Sequence, residues 1–316
     1  MTRAAPVLRP KSYDQESVFR AEALLREARR QKRLDAVAVP EVCVLDPDGD
    51  IFDALLHTGR GSPDPAWACY HTNLLRARHG GLSFGVVSRA VGAPFAVLVA
   101  EELFASGCEL LVSLTSAGRV APDVEPPFFV LIERAWRDEG TSLHYLPPSE
   151  WSELQPRLRE RLRDGLAPVH ERTFGGSSWT TDAPFRETPD AIAAARRAGV
   201  VAVEMEAAAL YAFATARQRS VVCVAHVTNA MAVDGQDFEK GHDNGVAASL
   251  AIIEAVAARC AVPKRARTRE DGHRPAPSAA VSAPGRTARD LLDERFARGE
   301  IDASEYVRRR DLLASG

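Results

Sequence analysis

The sequence has few cysteines and no pattern that would hold a metal or a disulfide framework. Only five of its 316 residues are cysteine, and these lie scattered, mostly within apolar stretches. There is no Cys-x-x-Cys pair and no cluster of histidine with cysteine, and an odd count does not suit paired disulfides. We therefore expect small core thiols in a reducing compartment, and no metal site. The cysteines are Cys43, Cys69, Cys108, Cys223 and Cys260.

Long apolar segments and an excess of basic charge are also missing. No hydrophobic run reaches membrane-spanning length, and the formal net charge is -3. These features predict no membrane segment and no broad nucleic-acid-binding surface. The first residues do not resemble a signal peptide, so we expect a cytoplasmic protein. With 46% hydrophobic residues, the chain can form one large α/β domain with additional segments.

The most informative stretch runs from Val200 to Ala214. It begins with a β-branched run typical of a strand buried on both faces, and it ends in an alanine-rich segment that favours helix. Glu204 and Glu206 lie at the junction, with Met205 between them. In extended chain the two carboxylates share one face, and a carboxylate can accept two hydroxyl hydrogen bonds. The set suits a sugar with adjacent hydroxyls, although acid in the first turn of a helix is also common.

This stretch resembles the ribose-binding signature of the nucleoside phosphorylase family, which includes purine nucleoside phosphorylases, uridine phosphorylases and related nucleosidases. The resemblance extends over the middle part of the chain. It implies an α/β fold, a three-layer α/β/α sandwich around a central mixed β-sheet. It also implies that Glu206 binds ribose hydroxyls and that Met205 packs on the sugar, with Glu204 supporting substrate binding beside them. A homo-oligomer is expected on the same grounds, with inorganic phosphate as co-substrate and no cofactor.

The phosphate side is expected to come from two loops. Gly49, in the acidic turn after the first strand, corresponds loosely to a glycine in the phosphate-binding turn of the family. A later buried strand ends in Thr115-Ser-Ala-Gly118, which offers backbone N–H groups and two hydroxyls to an anion or a ribose oxygen. The resemblance implies that Ser116 and Gly118 bind phosphate together with Gly49, and that Thr115 contacts the substrate.

Two positions depart from the family pattern. Asp53 and Ser113 stand where phosphorolytic members usually carry arginines. An aspartate repels phosphate, and a dianion without a nearby cation is costly to bury. Arg89, Arg119 and Arg186 lie near the site loops, and each is either a substitute ligand or an ordinary surface residue.

The base is expected to contact the segment Thr173–Thr188, which we predict as a polar loop. By the resemblance, Phe185 stacks on the base and Arg186 bonds a base carbonyl or a phosphate. Asn229 ends a later apolar strand, where bacterial family members have an aspartate acid. An amide donates without being protonated, so Asn229 would stabilise the departing base by donation to a purine N7. The alternative is a residue that caps the strand end.

The loop after Asn229 holds further candidate acids, which are Asp234, Asp237 and His242. Elsewhere we predict helices over 124–140 and 151–162. A hairpin of two short helices at the C-terminus resembles the SHOCT module, with its Gly-x-Ile signature as Gly299-Glu-Ile301. The predicted organisation is an N-terminal extension with an amphipathic helix (1–34), a nucleoside phosphorylase-like domain (35–260), a disordered linker (261–286) and the hairpin (287–316).

Together these features predict an enzyme that cleaves the N-glycosidic bond of a purine or pyrimidine nucleoside with phosphate. Two alternatives stay open. The missing arginines favour a hydrolytic nucleosidase that uses water, and the same replacements also allow a non-catalytic nucleoside-binding or scaffold protein.

Overall fold

The structure is a computed structural model that describes residues 5–164, 166, 169, 172–230, 240–261 and 310. The chain separates into two units, 1–263 and 264–316, and the description below concerns the first. Except for Ala261 and Arg310, the predicted linker and hairpin lie outside the described residues, as do Asp234 and Asp237.

Ten strands of the described part form one mixed sheet, in the order β10-β6-β8-β9-β5-β1-β4-β3-β2, with β7 paired to β6. Because β10 also pairs with β5, the strands β5, β10, β6, β8 and β9 close into a ring. The strands are β1 Val42–Asp46, β2 Gly61–Pro63, β3 Leu74–His79, β4 Leu82–Ser88, β5 Leu110–Arg119, β6 Phe128–Asp138, β7 Trp151–Glu153, β8 Thr173–Thr181, β9 Val200–Glu204 and β10 Ser220–Asn229.

Six of the seven α-helices of the described part pack in two groups, and α5 packs against β9. The first comprises α1, α3 and α6, and the second comprises α2, α4 and α7. The α-helices are α1 Ala21–Lys32, α2 Asp50–His57, α3 Ala93–Ala105, α4 Pro156–Arg161, α5 Pro189–Arg197, α6 Ala207–Ala216 and α7 Val246–Cys260. Helices packed around a mixed sheet confirm the predicted α/β architecture, and α1 lies within the segment predicted as an amphipathic helix.

The junction of β9 with α6 lies in the centre of the core. Helix α6 is buried along most of its length, because its alanines allow close approach to the sheet and to α3. The Tyr211 hydroxyl donates to the Ile132 carbonyl and accepts the N–H of Cys223 at 3.0 Å. The strand-to-helix prediction for this stretch is confirmed, and all five cysteines are buried and free.

Four predictions of secondary structure were wrong. The loop predicted at Thr115-Ser-Ala-Gly118 lies inside β5, where it pairs with β10 and, at Gly118, also with β9. The helix predicted over 124–140 is β6, because its five consecutive apolar residues from Phe128 to Ile132 are buried between β10 and β8. The loop predicted over 173–188 contains β8, whose small polar side chains are buried where they find hydrogen-bond partners. The helix predicted over 151–162 is split into β7 and α4, since Pro156 begins a new helix.

Candidate active site

Glu206 lies directly before α6, and its carboxylate is enclosed in the core with 1% of the residue exposed. Its Oε1 accepts the backbone N–H of Gly92 at 2.7 Å, and its Oε2 accepts the Thr115 hydroxyl at 3.0 Å. Burial, followed by repulsion from Glu204, raises the pKa of Glu206 to about 8, although the two hydrogen bonds act in the opposite direction. The carboxylate therefore holds together the start of α3 and the middle of β5.

Glu204 has a different environment, because its four hydrogen bonds all come from the protein. Its Oε1 accepts the hydroxyls of Ser178 and Thr180 from β8. Its Oε2 accepts the backbone N–H groups of Glu206 and Ala207, each at 2.7 Å, and so satisfies the first turn of α6. Burial raises the pKa of Glu204 against these bonds. Contact of Glu204 with a substrate stays a prediction.

Position 53 carries no arginine, but an arginine from another part of the chain lies next to it. Arg89 follows β4, and its Nη2 donates to the Asp53 carboxylate at 2.7 Å. Its guanidinium lies directly over Gly49, where a Cβ atom would be only 2.8 Å from Nη1. Gly49 also has a φ of +92°, in the region that favours glycine. Asp53 thus holds a cation against the turn predicted to bind phosphate.

A second polar group surrounds Ser116 on the other side of this turn. The Ser116 hydroxyl donates to Asp48 Oδ1 at 2.8 Å, and Lys240 donates to Asp48 Oδ2 at 3.0 Å. Lys240 also bonds Asp50, and Asn244 donates to Asp50 at 3.0 Å. One lysine is therefore shared by two carboxylates beside the predicted phosphate-binding serine.

Two short segments connect these groups. Residues 89–92 extend from the guanidinium over Gly49 to the N–H that binds Glu206. Residues 115–116 extend from the hydroxyl that binds Glu206 to the hydroxyl that binds Asp48. The predicted sugar side and the predicted phosphate side are thus brought together by the segment after β4 and the middle of β5.

Asn229 is the last residue of β10 and lies beside the last residues of β5. In the register of β10 on β5 it is opposite Gly118, a buried glycine. Its Nδ2 is directed to the Ala117 carbonyl at 3.4 Å and to the Thr228 hydroxyl at 3.3 Å. These long contacts fit the strand-end cap as well as a donor that could turn toward a base, so both interpretations remain.

The other predicted residues border this region or lie outside it. Met205 is half-buried between the two glutamates, and Phe185 is fully exposed in a short 3-10 turn after β8. Arg186 is exposed in the same turn, and no contact in the described part joins it or Phe185 to Glu206. Arg119 instead donates to Glu125, away from Gly49. The His242 side chain is fully exposed.

Sequence reasoning missed three contributors to this site. Gly92 contributes only a backbone N–H, and Lys240 and Asp48 belong to no pattern that we recognised. The sequence carried one signal for the lysine, because Asp46, Asp48 and Asp50 place three carboxylates in one turn and a nearby cation would reduce their mutual repulsion. Among the described residues, no group of three or more potential ligands could hold a metal ion, and no helix is long and apolar enough to cross a membrane.

The fold and this geometry define an α/β protein with a buried carboxylate at a strand–helix junction. The family model of the phosphorylase superfamily matches residues 55–258, which is more than half of the chain. The protein therefore belongs to the phosphorylase superfamily.

Individual proteins resemble the chain more distantly. The guanosine phosphorylase of Halorubrum lacusprofundi is 25% identical over 197 residues, which are 58% of this chain and 80% of that protein. The fold resembles that of a purine nucleoside phosphorylase from Toxoplasma gondii, with a TM-score of 0.60, 16% identity, and coverage of 72% of this chain and 94% of the other. An AMP nucleosidase from Bacteroides thetaiotaomicron gives 0.58 at 14% identity, covering 75% and 98%.

Proposed function

We propose that the protein cleaves the N-glycosidic bond of a nucleoside and uses inorganic phosphate as the nucleophile. The observation that carries this proposal is the position of Glu206. Its buried carboxylate lies between Gly92 and Thr115, and the segments that hold these residues also carry Arg89 and Ser116. The guanosine phosphorylase relative and family membership support the same reaction.

Glu206 retains the capacity to bind a sugar. An ionised carboxylate has about four acceptor positions, and the protein fills two of them. Two ribose hydroxyls would use the others, and their hydrogen bonds would favour the ionised form against the effect of burial. The oxygens polarised in this way assist charge development as the sugar takes on oxocarbenium character. Met205, half-buried beside the carboxylate, would pack on the sugar.

The phosphate would bind between Gly49 and Ser116. Arg89 supplies the positive charge there, because its guanidinium lies over Gly49 and is held by Asp53. Gly118 is buried in the sheet between β9 and β10, so the proposed phosphate site does not include it. Phosphate attacks C1′ as the bond to the base breaks, and the products are the free base and ribose 1-phosphate.

Asn229 would stabilise the departing base by hydrogen-bond donation, and the base would extend toward Phe185 and Arg186. Stacking of a base on a fully exposed phenylalanine would account for an aromatic side chain left in water. The amide of Asn229 favours a 6-oxopurine, which is compatible with the guanosine phosphorylase relative.

Hydrolysis is the second candidate. Asp48 and Asp50 share one lysine, so the nucleophile side carries excess negative charge next to Ser116. Such a charge disfavours a phosphate dianion and tolerates water. The structural similarity to an AMP nucleosidase is compatible with this reaction.

The test is incubation with guanosine, inosine, adenosine and uridine, each with and without phosphate, followed by measurement of released base and sugar. Ribose 1-phosphate formed only with phosphate is the expected result. Free ribose at an unchanged rate without phosphate would replace phosphorolysis by hydrolysis. Thermal stabilisation by nucleosides without base release would instead support a non-catalytic binding protein.

We further propose a cytoplasmic homo-oligomer that acts in nucleoside catabolism and purine salvage. The domain boundaries predicted above, including a SHOCT-like hairpin at 287–316, are part of this proposal. Size-exclusion chromatography with light scattering, on the full chain and on a chain ending at residue 261, tests whether the C-terminal segment changes the oligomer.

A further inference from the structure

Asp48 lies between Ser116, the predicted phosphate-binding serine, and Lys240. Its Oδ1 accepts the Ser116 hydroxyl at 2.8 Å, and its Oδ2 accepts the Lys240 ammonium at 3.0 Å. About a quarter of the Asp48 side chain is exposed, with 26% accessible. A small molecule bound at Ser116 therefore meets a carboxylate oxygen directly.

Lys240 only partly compensates this carboxylate. The lysine is also bonded to Asp50, so two negative groups share one positive group. Burial lowers the pKa of Lys240, but its bonds to Asp50 and Asp48 outweigh that effect and raise the pKa. The lysine is therefore positively charged near neutral pH, and the three groups together carry one net negative charge.

We propose that Asp48 is the residue that determines which nucleophile this site accepts. The proposal rests on the glycosidic cleavage proposed above, and it favours the second candidate, hydrolysis, over phosphorolysis. A carboxylate can accept a proton or a hydrogen bond but cannot donate one to a dianion. Asp48 thus weakens binding of dianionic phosphate at Ser116, and it orients and deprotonates a water molecule in the same place.

The hydrolytic step balances without a further reactant. The oxygen of the water molecule bonds to C1′ while the C1′–N bond breaks, and that electron pair leaves with the base. One proton of the water passes to Asp48, which later releases it to solvent. The base takes its proton from solvent, so one nucleoside and one water give free ribose and the neutral base.

The neighbouring Asp50 provides a matched control. It bonds the same lysine and carries the same charge, but its hydrogen-bond partners are Lys240 and Asn244 rather than Ser116. Asp48→Asn and Asp50→Asn therefore remove one negative charge each from the same cluster. Only Asp48→Asn removes the proton acceptor next to Ser116 and places an amide donor there.

The experiment measures ribose and ribose 1-phosphate from guanosine or inosine across a phosphate titration, in the wild type and both variants. For Asp48→Asn we expect about a tenfold lower KM for phosphate, since one repulsive contact becomes attractive. We also expect ribose formation without phosphate to fall about a hundredfold, the scale of a lost general base. Asp50→Asn should leave the ratio of the two products within about twofold of the wild type.

Equal shifts in both variants would overturn the proposal, because they would reflect net charge rather than the position of Asp48. An unchanged product ratio in Asp48→Asn would also overturn it. Phosphate binding is measured separately by calorimetry on the full chain, with phosphate alone as the probe. If the wild type releases no base, the proposed function fails. The role of Asp48 in phosphate exclusion would still be supported if Asp48→Asn bound phosphate more tightly than Asp50→Asn. Equal binding would overturn that role too.

Discussion

Thr115 donates its hydroxyl hydrogen to the Glu206 carboxylate across 3.0 Å, and this bond joins the middle of β5 to the start of α6. The two residues are far apart in sequence and are both buried. The bond orients the carboxylate together with the backbone N–H of Gly92, which donates to the other carboxylate oxygen. Glu206 is therefore held in a fixed orientation by residues from two other elements.

Replacement of Glu206 by glutamine should abolish most of the turnover. The amide has a single acceptor oxygen, so it cannot serve Gly92, Thr115 and two ribose hydroxyls together. We expect kcat to fall about a hundredfold or more, as when one preorganised transition-state contact is lost. Steady-state kinetics checks the loss, and circular dichroism checks that the variant is folded. Turnover within a few fold of the wild type would remove Glu206 from the mechanism.

Glu204 should matter for stability in a way that depends on the replacement. Glu204→Ala leaves the N–H groups of Glu206 and Ala207 without their acceptor inside the core. We expect a loss of about 3 kcal/mol in the free energy of unfolding, from two buried donors left unsatisfied. Glu204→Gln should lose less, because its oxygen can face these N–H groups while the hydroxyls of Ser178 and Thr180 rotate to accept from its amide. Urea unfolding measures both variants, and equal losses would contradict this assignment of the bonds.

Asp46 should make stability depend on pH. Its carboxylate accepts the N–H groups of Gly49 and Phe52, but burial dominates and raises its pKa from 3.8 to about 7. The folded state therefore binds more protons than the unfolded state between about pH 4 and pH 7, so stability falls as the pH rises through this window. The slope contributed by one such group is at most about 1.4 kcal/mol per pH unit.

Asp46→Asn provides the comparison. The variant should be less stable overall, since the two N–H groups bind different carboxylate oxygens and the NH2 that replaces one of these oxygens cannot accept. It should also lose the Asp46 part of the pH slope. Urea unfolding at intervals from pH 4 to pH 8 gives the difference between the two proteins, which cancels most other titrating groups. A constant difference across that range would show that Asp46 does not titrate there.

Sequence predicted the central elements of this fold because their patterns are local. The β-branched run at 200–203 and the alanine-rich segment after it have strong local preferences, and the structure follows them. The strand β8 could not be predicted in this way, since Ser178 and Thr180 are strand residues because they bind Glu204 from a distant part of the chain. Polar side chains whose partners are distant in sequence look like loop residues until the fold is known.

The candidate site shows the same limit. The signature around Glu206 predicts a sugar-binding carboxylate from adjacent residues alone. The cation over Gly49 depends instead on a contact between Arg89 and Asp53, which are 36 positions apart. Sequence identified Asp53 as a departure and Arg89 as one of three alternatives, and only the structure distinguishes Arg89 from Arg119.

The placement of Arg89 leads to a test of the phosphate side. Arg89→Ala removes the guanidinium that lies over Gly49 and leaves Asp53 as an unpaired carboxylate close to it. We expect the KM for phosphate to rise about thirtyfold, because an attraction is lost and a repulsion is exposed. The KM for the nucleoside should change little, since Glu206 is held by other residues.

The matched control is Arg119→Ala, which removes an arginine paired with Glu125 and remote from Gly49. It should leave the KM for phosphate unchanged. The double variant Arg89→Ala with Asp53→Asn should recover part of the loss, because it removes the unpaired carboxylate without restoring the cation. Initial rates over a phosphate titration measure all three. An effect of Arg119→Ala equal to that of Arg89→Ala would mean that overall positive charge, rather than the guanidinium over Gly49, determines phosphate binding.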